Sequence, residues 1–557
     1  MALACTVMSL LSLMALFVTG TFNRLPERTD MLVTTESMTL NHGLPSAPFL
    51  FGLALLAVVC CAAALLWSRR SHNASIPAAI GVYTLSVSLV WLFALHMTGH
   101  YGYPDSKSLI EAADSIISGR YADFAPDAPA GSDPSVPSPY AYFSWYPFQT
   151  GALLWFVLVF RLFGAGNIAA LLAVNSFLLA GIAYMLQLVG ERLGLSGFGQ
   201  RIEALIIITS VPFLLSGAFA YTNTAGFFFA MLALLTAIRA ARQERYRPAL
   251  IWTAVTFLIG VVAVTVKGTM IIYLIAFTLV LSIVDLRNRL FWMIPVNVVL
   301  LLAANKGSGL SLVLVEHLTG QEFGEGLPQM SWIAMGLTHS DEGTGMPGWW
   351  TDAALQAYQS TGGDTASQKQ MAMDTIMEAL RAFIHNPGGA VAFFIGKLAT
   401  EWTEPTYQTL YYSSLAQRGS TGIIAEHVFY GNGNRILLGF MNVHQSLVYL
   451  SGALGFGWAI HNAWRTTVIA DRIATGEGCT DRRAGDSTVM LFLAMILLGG
   501  FGCFLLWEAK STYVLSFAII LIPVAAYGIE QSYAHLRAAR KGGVIANTSR
   551  FAYLRRH

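Results

Sequence analysis

The chain has 557 residues, of which 55% are hydrophobic, 12% aromatic and only 11% charged. So little charge over such a length excludes an ordinary soluble protein and implies an all-α polytopic membrane protein surrounded by membrane lipids. A net charge of +2 gives no electrostatic basis for a nucleic-acid partner.

Taken in chain order, residues 1–20 are apolar, without a basic start or a small-residue cleavage site, so a retained first helix is expected there. Apolar stretches at 48–67 and 77–97 follow, each long enough to cross a bilayer. The segment 98–148 is different: it is polar and acidic, opens on His100 and Tyr103-Pro104-Asp105, and closes on Tyr146-Pro147-Phe148-Gln149. Leu109, Ile110, Ala113, Ile116 and Ile117 share one helical face, which predicts a helix along the membrane surface. A Pro/Ser/Asp-rich loop at 126–139 comes next. Apolar stretches resume at 149–163, 167–189, 202–219, 222–238, 249–266, 269–284 and 291–304. A second insertion, 305–434, carries a helical pattern at 368–384, and its segment 390–399 is too short to span and is expected to dip into the interface. Apolar stretches at 436–461, 488–507 and 511–530 precede a basic tail, 531–557. The sum is about thirteen spans. Four regions result: a membrane region 1–304 that includes the loop 98–148, a cap 305–434, membrane helices 435–530, and the tail.

The basic residues gather in short connectors. These hold Arg69 and Arg70; Arg192 and Arg201; Arg239, Arg242, Arg245 and Arg247; Arg287 and Arg289; and Arg465, Arg472, Arg482 and Arg483. The tail adds Arg537, Arg540, Lys541, Arg550, Arg555 and Arg556. That side is expected to be cytoplasmic, with the C-terminus, which leaves 98–148 and 305–434 as two extracytoplasmic insertions of a multi-pass cell-membrane protein. Cys5, Cys60, Cys61, Cys479 and Cys503 all fall in membrane or cytoplasmic stretches, so no disulfide framework is expected. Counting crossings exposes a conflict, because two spans at 149–163 and 167–189 would put Arg192 and Arg201 outside. Either 149–163 does not span, being about 15 residues or roughly 22 Å against a core near 30 Å, or 98–148 hides a further embedded helix. No paired broken helices of the transporter kind are evident.

Polar residues at the outer helix ends carry the chemical argument. Asp105 follows the third stretch with His96 and His100; Tyr221-Thr222-Asn223, Lys267-Gly268-Thr269 and Trp507-Glu508-Ala509-Lys510-Ser511-Thr512-Tyr513 occupy outer turns. Each has a plain alternative. Lys267 and Lys510 could snorkel to headgroups, Glu508 and Lys510 could be a structural ion pair, and Asp105 could be a solvated loop acid. His96 and His100 fit interfacial hydrogen bonding better than metal ligation, since no His/Asp/Glu cluster has metal spacing. Together, however, two cations suit a phosphate-bearing lipid and a nearby carboxylate suits a general base. That combination describes glycosyl transfer from a lipid phosphate.

On these residues the chain resembles the GT-C superfamily of membrane glycosyltransferases, related to protein O-mannosyltransferases. The resemblance runs over Asp105, the helical segment 112–120, Tyr146-Pro147-Phe148-Gln149-Thr150-Gly151 and Leu162-Phe163-Gly164. It continues through Pro212, Tyr221-Thr222-Asn223, the segment 328–337 with Trp332, His385-Asn386-Pro387, Lys397, Trp402, and Trp507-Glu508-Ala509-Lys510 with Tyr513. It implies a GT-C-like fold and an inverting transfer from a polyprenyl-phosphate-linked sugar donor to a cell-envelope glycan, lipid or protein acceptor. Asp105 would be the base, with Glu111, Asp114 and Asn223 as further catalytic or acceptor-side candidates. Lys267 and Lys510 would bind the donor phosphate, supported by Tyr146, Tyr221, Trp507, Glu508 and Tyr513. No cofactor and no obligatory divalent metal are implied. Two positions depart from the pattern: Asn223 stands where many relatives have an acid, and Thr512 where many have Arg.

Two rivals are an envelope-polysaccharide polymerase, disfavoured because Arg381 and Arg418 are the only arginines in the cap, and a lipid or solute transporter, which would carry its ionisable residues near the bilayer midplane. On the transferase expectation, Asp105, Lys267 and Lys510 line one cavity open laterally to lipid.

Overall fold

The computed structural model describes residues 1–23, 37–70, 76–95, 101–128, 136–339, 345–416, 422–472 and 483–554. His96, His100, Arg418, Cys479, Arg482, Arg555, Arg556 and residues 129–135 of the Pro-rich loop lie outside them. Among the described residues the chain is helical apart from one antiparallel hairpin.

Helix α1 (Ala2–Phe17) stops short of the 1–20 stretch because the backbone turns extended at Val18. There β1 (Val18–Asn23) begins, rich in the β-branched residues that favour strands, and pairs with β2 (Ser37–His42), Val18 opposite His42. α2 (Ala47–Arg70) and α3 (Ile76–Ala94) follow. α4 (Pro104–Ile117) starts with Pro104, whose fixed φ suits a first turn, and Asp105, whose carboxylate suits the positive end of the helix dipole. Its expected apolar face is real: Leu109, Ala112, Ala113 and Ile116 are buried, packed in one core with Leu153, Phe156 and Phe160.

α5 (Pro139–Trp145) is capped by Ser138, whose hydroxyl accepts from the Ala141 amide, and α6 (Thr150–Phe163) leaves it at an angle of 108° across Tyr146 and Pro147. α7 (Ile168–Leu193), α8 (Gly197–Thr209), α9 (Val211–Leu215), α10 (Asn223–Ala241), α11 (Tyr246–Val266), α12 (Ile271–Arg287) and α13 (Met293–Ser308) run on through the membrane region. The second insertion holds α14 (Leu310–Thr319), α15 (Met330–Gly336), α16 (Ala353–Ser360), α17 (Thr365–His385), α18 (Pro387–Glu401), α19 (Thr409–Ser414) and α20 (Ile423–Phe429). α21 (Gly431–Arg472), α22 (Arg483–Leu506), α23 (Ser511–Ile519) and α24 (Ile522–Leu554) complete the chain.

Eight of the described helices are long and apolar enough to cross a membrane, or up to eleven when each of three bent pairs counts as one span. The difference from about thirteen apolar stretches has local causes. α1 has only 16 residues, and 202–219 and 511–530 are broken by bends of 56° and 46°. α21 covers 436–461 but dilutes its apolar run with Asn442, His444, Gln445 and Ser446.

At 149–189, where the crossings conflict, α5 and α6 form a bent pair that is either a broken span or a re-entrant loop. Gln149, just before α6, donates to the Tyr221 hydroxyl, while Asn175, two turns into α7, donates to the Phe219 carbonyl at 2.9 Å. The start of α6 and the second turn of α7 therefore sit at the same end of the bundle. The opposite end gathers the basic connectors: Arg192 lies within electrostatic reach of Arg239 and Arg242, and the Arg201 guanidinium stands 5.9 Å over the Trp67 ring. α10 and α11, about 28 and 31 Å long, carry the chain between the two ends.

Candidate functional site

The end of the bundle opposite the arginines brings together side chains from four distant segments. Asp105 lies at the start of α4, Lys267 in the break between α11 and α12, Lys510 in the break before α23, and Tyr221 and Asn223 at the start of α10. Each cation stands where a helix has ended and the next has not begun, so its ammonium reaches inward from a loop rather than from a bilayer-facing helix surface.

Asp105 is half-buried and accepts a hydrogen bond at Oδ1 from the Tyr142 hydroxyl, 3.3 Å away. Burial raises its carboxyl above the ordinary carboxylate value, against the opposing pull of Lys510, Lys267 and the hydrogen bonds of Tyr142 and Tyr103. Burial lowers the Lys267 ammonium to about 8, although Asp105 and Glu508 favour its charged form. Its Nζ lies 4.6 Å from the centre of the Tyr221 ring and 5.5 Å from that of Tyr513, so ring faces supply part of its solvation. Lys510 Nζ donates to the Tyr103 hydroxyl at 3.3 Å. Glu508 is buried and accepts from the Tyr513 hydroxyl at 3.5 Å.

A cleft with a cavity volume of about 40 Å³ opens beside this group. Phe213, Phe219, Phe227, Leu515 and Ile519 make it largely apolar, and Lys267, Asn223, Thr512 and Tyr513 line its polar part. Asp105 and Lys510 are not among the residues that line this cleft. The Tyr103 ring packs on Phe219 and Tyr412 of the cleft wall, at 5.4 and 5.3 Å, while its hydroxyl meets Lys510.

Among the further candidates, Asn223 is at the site and donates from Nδ2 to the Thr512 hydroxyl at 3.3 Å. The two positions that depart from the resembled pattern therefore touch each other. Asp114 is elsewhere: it pairs with Arg120 at 2.8 Å, about 13 Å along α4 from Asp105. Glu111 shares that helix two turns from Asp105. Tyr146 lies within electrostatic reach of Asp105 and Glu508, and Trp507 stacks on Trp332, ring centres 6.0 Å apart.

Sequence reasoning missed Tyr142, a buried tyrosine of the short helix α5 with no pattern around it, and the buried support under the last turn. Lys397, fully buried on α18, donates to the carbonyls of Gly336 and Trp507, both at 2.6 Å, and desolvation lowers its ammonium to about 8. Glu401, one turn on, is buried with Lys397 as its compensating charge. Glu404 accepts from the Thr406 amide and hydroxyl, the Gln408 amide and the Ser511 hydroxyl at 2.6–3.0 Å. That carboxylate holds Tyr407 and Gln408 at φ of 48° and 59°, a strained region for residues with a Cβ, and ties the strained turn to the residue after Lys510. The signal for this layer was available as two acids and a lysine in a short apolar segment, a costly placement unless they are paired. Among the described residues no group of three His, Cys, Asp or Glu is placed to hold a metal ion. No family model, curated protein or solved structure matches this chain.

Proposed function

We propose that the protein is an integral-membrane inverting glycosyltransferase that moves a sugar from a polyprenyl-phosphate donor to an envelope acceptor on the extracytoplasmic face. The observation that carries this is the meeting of Asp105, Lys267 and Lys510 from three remote segments beside an apolar cleft, at the end away from the arginine-rich connectors. The lysines neutralise the donor phosphate, and the cleft accepts apolar chain next to Lys267. Asp105 takes the proton of the acceptor hydroxyl as its oxygen bonds to the anomeric carbon. The carbon–oxygen bond to phosphate breaks on the opposite side, and the polyprenyl phosphate leaves with the bonding pair. A single carboxylate suffices for inversion, which fits a site where the second acidic position is Asn223. The GT-C resemblance points the same way, and with it a GT-C-like fold.

The test is sugar transfer from a radiolabelled polyprenyl-phosphate hexose or pentose into envelope material by the purified chain in vesicles. Asp105→Asn should lower transfer by about 10²–10⁴-fold with normal expression. Retained transfer removes Asp105 as the base.

A further inference from the structure

Beside Asp105 four aromatic rings touch in a continuous strip without being buried. Phe148 is 55% exposed, and Tyr146, Trp332 and Trp507 are half-buried. Ring centres are 6.0 Å apart for Tyr146 and Phe148, 5.5 Å for Phe148 and Trp332, and 6.0 Å for Trp332 and Trp507, whose planes differ by 12°. The rings come from three separate segments: the loop before α6, helix α15 of the second insertion, and the last turn before α23.

The backbone beneath them is locked. The Leu327 amide donates to the Trp145 carbonyl at 3.0 Å, and a Cβ on Gly326 would lie 2.2 Å from Pro147 Cδ. Lys397 grips the Gly336 and Trp507 carbonyls, and the Ala509 amide donates to Gly348 at 2.7 Å. Three segments are thus held so that their rings adjoin, edge to face at 73° and 75° on either side of Phe148 and near parallel between Trp332 and Trp507. The strip leads to the carboxylate, since Tyr146 packs on Tyr142 at 5.3 Å and Tyr142 donates to Asp105.

We propose that Tyr146, Phe148, Trp332 and Trp507 form a stacking platform for the sugar rings of a glycan acceptor, so that the acceptor hydroxyl at this site belongs to a saccharide. This deepens the transferase reading and rests on it. A pyranose or furanose presents an apolar C–H face that packs flat on an aromatic ring and a rim of hydroxyls that stays hydrated, the amphipathic match that Trp and Tyr provide. Rings that merely anchored helices in the interface would be spread round the bundle and turned outward to lipid. These instead face one another across three segments and adjoin two carboxylates, Asp105 and Glu508.

The experiment uses the full chain in nanodiscs, an array of neutral oligosaccharides as the probe, and decaprenyl phosphate titrated in parallel. At least one oligosaccharide should bind. Trp332→Leu and Trp507→Leu should each weaken it about ten-fold, Trp332→Phe should restore most of the loss, and Asp114→Asn, away from the site, should change it less than about two-fold. Absence of any oligosaccharide binding, or binding indifferent to both tryptophans, overturns the platform. If decaprenyl phosphate still binds in that case, the transferase reading survives. If neither probe binds, both fall. Loss of thermal stability in the tryptophan variants with unchanged glycan binding identifies interface anchors and also overturns the platform.

Discussion

At Asp105 and Lys267 the same burial acts in opposite directions, raising the acid and lowering the base. The base form of Asp105 is lost as pH falls through its raised value. The charged form of Lys267 is lost as pH rises through about 8. The pH profile of kcat/KM should therefore be bell-shaped, with an alkaline limb near 8 that moves upward by more than one unit in Lys267→Arg, since a guanidinium stays charged there. An alkaline limb unmoved by that substitution would assign it to another group. Asp114→Asn should remove only an exposed pair with Arg120, at a stability cost under about 1 kcal/mol, and leave transfer intact. Asn223 and Thr512 make a second testable pair. Thr512→Arg places an unmatched cation near Lys267 and should cost about 2–4 kcal/mol, whereas Asn223→Asp in the same chain should recover at least half of the loss. Additive thermal shifts in the double variant would show that the two positions are not coupled.

Among the elements, α18 has the widest reach. Besides the Lys397 hydrogen bonds, its Thr400 hydroxyl accepts from Trp349 Nε1 at 2.9 Å, so one helix joins the second insertion to the last turn. Lys397→Met strands two buried carbonyls and leaves Glu401 uncompensated. It should destabilise the protein by about 3–5 kcal/mol, read as a lower unfolding temperature in detergent, and Glu401→Gln in the same chain should return part of it. α6 depends on a close approach instead: a Cβ at Gly151 would stand 1.8 Å from the Thr265 carbonyl oxygen of α11, so Gly151→Ala must displace one helix. Much at this scale was legible beforehand. α4 followed from its apolar face, and α17 (Thr365–His385) from the pattern at 368–384. Asp105, Lys267 and Lys510 stood out because ionisable residues at membrane helix ends are rare. What was hidden depends on contacts with no sequence period. The β1–β2 hairpin adjoins an apolar stretch and is six residues per strand, and the α18 charges read as an interfacial segment because their partners are backbone carbonyls far along the chain.

For the whole molecule, the fold makes a statement about sides that labelling can check. The start of α6 and the second turn of α7 lie at the end of the bundle that holds Asp105, so a cysteine at Ala165 should react with an impermeant maleimide from the same side as one at Asp127. One at Glu244, at the arginine-rich end, should react only after permeabilisation. Labelling of Ala165→Cys together with Glu244→Cys would make α6 a true span. The hairpin carries a different consequence, in the timing of synthesis. The Val18 carbonyl accepts from the Thr403 hydroxyl, 385 positions later, and Gly20 packs so closely on α18 that an added Cβ would lie 2.8 Å from the Ala399 carbonyl. At the ribosome's pace the first strand waits about 20–80 s for the helix it braces. Lys510 emerges later still, so a nascent or truncated chain ending before Trp507 holds Asp105 and Lys267 without the second lysine. The three charged residues can meet only after the last helices are made.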